Sequence, residues 1–257
     1  MRAMTLVAFG ALAGCKVVDA PDNLEELVVF GFETFGDARA MEATLDELVP
    51  LVDQNEEDLT DGYRVDQLGV EQLELAGIEG AEVSGIVGAM GLIPYRNPVD
   101  PVIDVATSPD KAELFEQITE FSATEIGDRA CFLAHECESF GQEVFETANV
   151  SLLGTSVRHY THTIFWIEHE TFGRVAAIRS LSPDPIEFSS NITRVNQQYG
   201  LVYILPDGDG ARRVEAFWVD AEVIGLDVPD SFAVDTAINQ MGNQAENIDD
   251  IIEGISE

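Results

Sequence analysis

Positive charge is what this sequence has least of. Its 257 residues hold 13 Lys and Arg against 48 Asp and Glu, a net charge of −35. Gripping a phosphate backbone needs clustered cations, so nucleic acid is excluded as a partner. Docking on an anionic membrane by charge alone is excluded for the same reason. The acids form no dense repeat. They read as a highly solvated surface suited to a salty medium, with a cation-holding surface as the alternative.

Long apolar runs are missing too. Nothing approaches the roughly 18 uninterrupted apolar residues of a spanning helix. Cysteine is scarce: Cys15, Cys131 and Cys137 are an odd number, which leaves one thiol to explain. The signatures of several enzyme classes are absent. Neither Ser84-Gly85 nor Ser139-Phe140-Gly141 makes a Gly-x-Ser-x-Gly elbow. No phosphate loop or dinucleotide fingerprint occurs, so no cofactor is expected. Asp207-Gly208-Asp209-Gly210 lacks the other ligands of a calcium loop and reads as a hairpin turn. His135, His159, His162 and His169 show no metal-ligand spacing. His159 and His162 fall on opposite faces of a strand, so ordinary strand and turn positions are expected for them. Cys131, His135 and Cys137 would offer a metal only three ligands. No metal and no catalytic residue is expected.

What is present begins with MRAMTLVAFGALAGC. Arg2 is a minimal positive start, Ala3 to Ala11 a short apolar stretch, and Gly14 a small residue at a cleavage position. The order Leu12-Ala13-Gly14-Cys15 resembles the lipobox of bacterial lipoproteins. That resemblance implies cleavage before Cys15 and acylation of its thiol and new amino terminus. Three acyl chains would hold permanently, since each buried methylene is worth about 0.8 kcal/mol. It also implies an envelope location, and Lys16 after the cysteine leans toward the outer membrane, facing the periplasm. The alternative is a cytosolic start whose LVAFGALAG enters a core.

Export permits disulfides. With Cys15 lipidated, Cys131 and Cys137 remain as a candidate pair. A continuous helix over CFLAHEC would hold its ends about 9 Å apart, and a disulfide needs Cα atoms within about 7 Å. Either the segment bends into a turn, the favoured reading, or both thiols stay reduced.

Residues 16–22 form a short tether. Residues 23–77 read as helical. Asp22 or Asn23 caps the first helix and Asp37 the second. Met41, Leu45, Leu48 and Val52 share one face, and Pro50 should kink or end that helix. A third piece is expected at VEQLELAG. From Ala81 the texture changes. AEVSGIVGAMGLIP is a strand candidate, Ser108-Pro109 opens one helix, and EFSATEI reads as a strand. Long extended segments follow, separated at Leu153-Gly154, Glu170 to Gly173, Pro183-Asp184-Pro185 and Asp207 to Gly210. Sequential strands on short turns make an antiparallel sheet, which must twist. A helix from about Asp230 ends the chain. Its stripe runs Val234, Ile238, Met241, Ala245, Ile248, Ile252 and Ile255. Laying that stripe across the sheet is simpler than a coiled coil.

This order of elements resembles the helix-grip fold of START-like lipid-transfer domains over residues 81–257. The resemblance implies an α+β fold in which a curved antiparallel sheet wraps a long C-terminal helix and leaves an apolar cavity between them. The implied organisation is a signal peptide at 1–14, a lipidated tether at 15–22, a helical segment at 23–80 and a START-like domain at 81–257. Of the 12 cations after Gly14, six fall between Arg158 and Arg213. Arg158, Arg179 and Arg194 sit among apolar neighbours on strands. They either pair with surface acids or point inward to meet a ligand's polar end, a task that suits Arg. Tyr160, Trp166, Tyr199 and Trp218 are candidate walls of the pocket. The expected function is binding or transfer of a lipid or sterol-like apolar molecule. Its alternatives are an interaction lipoprotein with a filled core, or a cyclase-like enzyme built around Arg194 with Asn196 or Gln198. Folds of this kind host binders and enzymes alike. The oligomeric state is not specified by the sequence.

Overall fold

The computed structural model describes residues 18–150, 153–190, 193–223 and 230–254. The signal segment, Cys15 and Lys16 therefore lie outside the described residues, as does Ile255 of the terminal stripe. Four helices come first: α1 (Leu24–Glu33), α2 (Ala38–Gln54), α3 (Glu56–Asp61) and, after the short strand β1 (Tyr63–Val65), α4 (Val70–Leu75). Asn23 caps α1 by accepting from the Glu26 amide at 3.0 Å. The Asp37 carboxylate caps α2, accepting from Arg39 and Ala40. Pro50 does not end α2, which runs on to Gln54. Its ring sits on the exposed side of the helix.

The sheet follows. Its strands are β2 (Val87–Tyr95), β3 (Ile118–Ile126), β4 (Ser139–Val150), β5 (Gly154–His169), β6 (Gly173–Ser182), β7 (Glu187–Phe188), β8 (Thr193–Asp207) and β9 (Gly210–Val223). Between β2 and β3 stand two short helices, α5 (Val99–Ala106) and α6 (Lys111–Leu114), not the single one expected. Pro98 is the N-cap of α5, a helix for which no expectation was drawn from the sequence. One more turn of helix, α7 (Arg129–Leu133), precedes β4, and α8 (Asp230–Glu253) closes the chain.

Every ladder is antiparallel, in the order β1-β2-β9-β8-β6-β5-β4-β3, with β7 beside β5. The first long strand thus pairs with the last, and the long helix follows. This is the α+β, helix-grip order expected from the sequence. Strand alternation divides the side chains between two covered faces. On the outer face α1 to α4 bury Met90, Ile167, Val175, Leu201, Val214 and Trp218. On the inner face α5, α7 and α8 bury Ile93, Phe140, Ile164, Val202, Ile204 and Phe217.

α8 is tied down at its end. The buried Asp249 carboxylate accepts from the Arg96 amide at 2.9 Å, the Asn97 amide at 3.2 Å and the Asn97 side chain at 2.9 Å. Along its length it lies hard against β2. A Cβ on Gly91 would come within 2.3 Å of the Ile238 Cδ1.

Cys131 and Cys137 are joined in a disulfide, with Cα atoms 5.4 Å apart. The segment does bend. α7 stops after Leu133, and His135 adopts a left-handed φ of 60°. Phe132 on this turn stacks on Phe140 and Trp166, fixing it over the inner face.

Candidate functional site

The inner face is not uniformly apolar. Beside β2 and β9 it is closed by α5 and α8. Farther along, β4 and β5 carry a row of polar side chains at alternate positions: Gln142 and Glu146 on one strand, Arg158, Tyr160 and His162 on the other. The ladder sets Val144 opposite Tyr160 and Glu146 opposite Arg158. Glu146 is buried. Its Oε1 accepts from the Arg158 Nε at 3.0 Å and from a terminal guanidinium nitrogen at 2.8 Å. Its Oε2 accepts from the Tyr160 hydroxyl at 3.4 Å. The guanidinium also stands over the Tyr160 ring, 4.8 Å from its centre.

His162 continues the row. Its Nε2 lies 2.8 Å from the Gln142 Oε1, and the Gln142 amide donates to the Thr107 carbonyl at 3.1 Å. The amide orientation makes Nε2 the protonated nitrogen of a neutral ring. Burial, with Lys111 and Arg158 nearby, pushes the imidazole down to about 3. Lys111, from α6, completes the group, its ammonium 5.5 Å from the Phe121 ring centre. Burial pushes this amine down to about 8, against the opposing pull of Glu146. Burial also raises the Tyr160 hydroxyl, so it remains a neutral donor.

These groups are surrounded by protein but not sealed. The Arg158 side chain is 35% accessible where its partner Glu146 is 5%. Lys111, Tyr160, Ile178, Ser180 and Gln198, all facing inward, are only half-buried. A charged pair with one partly accessible partner differs from an ion pair locked in a core. It can exchange water for a ligand's polar end.

The seven expected ligand residues separate by strand parity. Arg158 and Tyr160 stand in this recess. Trp166 shares their face, but its Nε1 donates to the Phe132 carbonyl at 2.9 Å and its ring is covered by α7. The other four do not line the gap between sheet and α8. Arg179 lies on the outer face, over the Phe35 ring at 4.8 Å, and donates to the Phe32 carbonyl. Trp218 is buried there too, donating to the Asp66 carbonyl at 2.8 Å. Tyr199 donates to Gln197 at 2.8 Å, and burial raises its hydroxyl to about 12. Tyr199 and Arg194 line a separate cleft of about 550 Å³, walled by Glu79, Glu82, Asp184 and Glu222. Of the two partners expected for Arg194, Asn196 shares this cleft and donates to Asp220 at 3.1 Å, while Gln198 falls on the inner face.

Lys111, Gln142, Glu146 and His162 were not singled out as ligand residues from the sequence. One signal was available. Glu146 interrupts the alternate apolar row Val144, Glu146, Ala148, a place where an acid needs a partner.

No protein-family model and no curated protein matches this sequence. Solved structures resemble it at low identity. The human StAR-related lipid transfer protein 5 is 11% identical, with 85% of this chain and 99% of that one covered and a TM-score of 0.40. A START superfamily protein from Mycobacterium smegmatis is 10% identical, covering 66% and 99%, with a TM-score of 0.37. The di-domain aromatase/cyclase BexL is 11% identical, covering 83% and 61%, with a TM-score of 0.43. At such identities and scores none of them assigns a function to this chain.

Proposed function

We infer that this chain is a lipid-anchored envelope protein that holds an apolar small molecule in the inner-face recess, with the ligand's polar end at Arg158. The observation that carries the reading is the inward-facing Glu146–Arg158–Tyr160 group, paired and oriented yet with Arg158 and Tyr160 only half-buried. Few convergent polar groups on an otherwise apolar wall are the usual form of a small-molecule site. The ladder and the Glu146 carboxylate hold the guanidinium in place, so little ordering remains to be done on binding.

Binding is favoured over catalysis by how these groups are used. Glu146 is engaged by Arg158 and Tyr160, and His162 by Gln142, so among the described residues neither stands as an open base. A filled-core interaction protein fits less well, because half-buried Lys111, Tyr160 and Arg158 would there be a desolvation cost without a return.

The anchor and the envelope location rest on the order Leu12 to Cys15. Cys15→Ser should move the chain from the membrane fraction to the soluble one, and a variant that stays membrane-bound overturns the anchor. The ligand is tested by native mass spectrometry of the full chain purified from a bacterial host. A bound apolar molecule, released by organic extraction, supports the reading. Empty protein that takes up no fluorescent lipid contradicts it.

A further inference from the structure

We propose that the ligand of the inner-face recess is a monoanionic amphiphile, a long-chain carboxylate, whose head sits between Lys111 and Arg158. The proposal deepens the binding reading above and rests on it.

Charge decides the class. In a chain of net charge −35, this recess reverses the sign. Lys111 and Arg158 bring two positive charges to the row, and the one described carboxylate among them is Glu146. Glu146 is committed on both oxygens, Oε1 to Arg158 and Oε2 to Tyr160. The Lys111 ammonium makes no hydrogen bond or ion pair among the described residues. Its described neighbours are the face of Phe121 and, without a hydrogen bond, the charges of Glu146 and Arg158. A half-buried ammonium with three donors and no acceptor is unfavourable unless something supplies one.

A single negative charge would balance the surplus. Arg158 keeps guanidinium donors beyond those given to Glu146, and Lys111 approaches as a point charge beside it. A phosphomonoester, with nearly two charges, would be left undercompensated. A sterol-like alcohol or neutral ester could accept from Lys111 but would leave the surplus positive charge unbalanced. The inward side chains Phe121, Val144 and Ile178 continue from the head position as apolar wall, which suits an alkyl tail.

The test uses the full chain in phosphatidylcholine nanodiscs. The probe is a palmitic acid bearing a mid-chain diazirine and a terminal alkyne, compared with its methyl ester. The acid should label β4–β6 peptides at least tenfold more than the ester. Lys111→Met should bring acid labelling down to the ester level, and Lys111→Arg should restore it, which separates lost charge from lost folding. Laurate should compete better than dodecyl phosphate. Equal labelling of those peptides by acid and ester would overturn the anionic class while leaving the apolar-ligand reading intact. Stronger competition by dodecyl phosphate would overturn the carboxylate. No labelling of those peptides by either probe would bring down both readings.

Discussion

Lys111 and His162 hold the recess in an unusual protonation balance. The folded-state amine titrates at about 8, below its ordinary 10.5. The charged form is therefore disfavoured by folding, and neutral pH carries that cost. Lys111→Met should raise stability at pH 7 by about 1 kcal/mol, after allowance for solvent screening, in chemical denaturation. For His162 the folded value is about 3 against 6.5 unfolded. Between those limits the unfolded chain binds a proton that the folded chain refuses. The stability held above about pH 6.5 is thus lost as pH falls toward 3, at up to about 1.4 kcal/mol per unit. His162→Gln should flatten the acid side of the stability profile; an unchanged slope contradicts this protonation scheme. Arg158→Met leaves Glu146 buried without its cation and should cost about 3 kcal/mol. Adding Glu146→Gln should recover most of that loss, because the uncompensated charge is gone.

At the scale of elements, the long strands, their turns, the capped first helices and the terminal stripe were legible in the sequence. The signals were strong: Asn23 and Asp37 at helix starts, a glycine turn at 207–210, and apolar residues at helical spacing from Val234 to Ile252. α5 was hidden because two prolines in NPVDPVIDVATS mimic a turn. The faces of the strands were hidden for a different reason. Helices cover both sides of this sheet, so stretches such as GLVYILP run apolar without alternation and do not announce which residue faces which side. Arg158 and Tyr160 therefore could not be told from Arg179 and Tyr199 until the register was known. The disulfide could be anticipated as a pairing, but the bend at His135 that permits it could not. Closing so short a loop contributes about 2 kcal/mol. Cys131→Ser should lower stability by that order, and reducing agent should have the same effect on the parent and none on the variant. α8 is held at its far end by one buried side chain. Asp249→Ala removes acceptors from three donors and should speed amide exchange across the second half of α8.

For the whole molecule, charge and location act together. A net charge of −35 repels itself across the folded surface. Raising sodium chloride from about 0.05 to 1 M should raise the thermal midpoint, since salt screens that repulsion. The recess is where the sign reverses, which gives one place on a strongly acidic protein where an anionic head finds cations. Under the proposed anchor at Cys15, the same domain would stand within a few residues of a membrane. No described helix is long and apolar enough to cross a membrane.

The central claim is that the inner face between β4–β6 and α8 is occupied by an apolar molecule. The most direct measurement is native mass spectrometry of the full chain beside its Ser180→Trp variant, which places a bulky ring on the half-buried inner surface. Circular dichroism verifies that the variant keeps its fold. The parent should carry about one extractable apolar molecule per chain, and Ser180→Trp should carry none. Equal loading of the two, or a parent that is empty and stays empty when offered lipid, would contradict the claim.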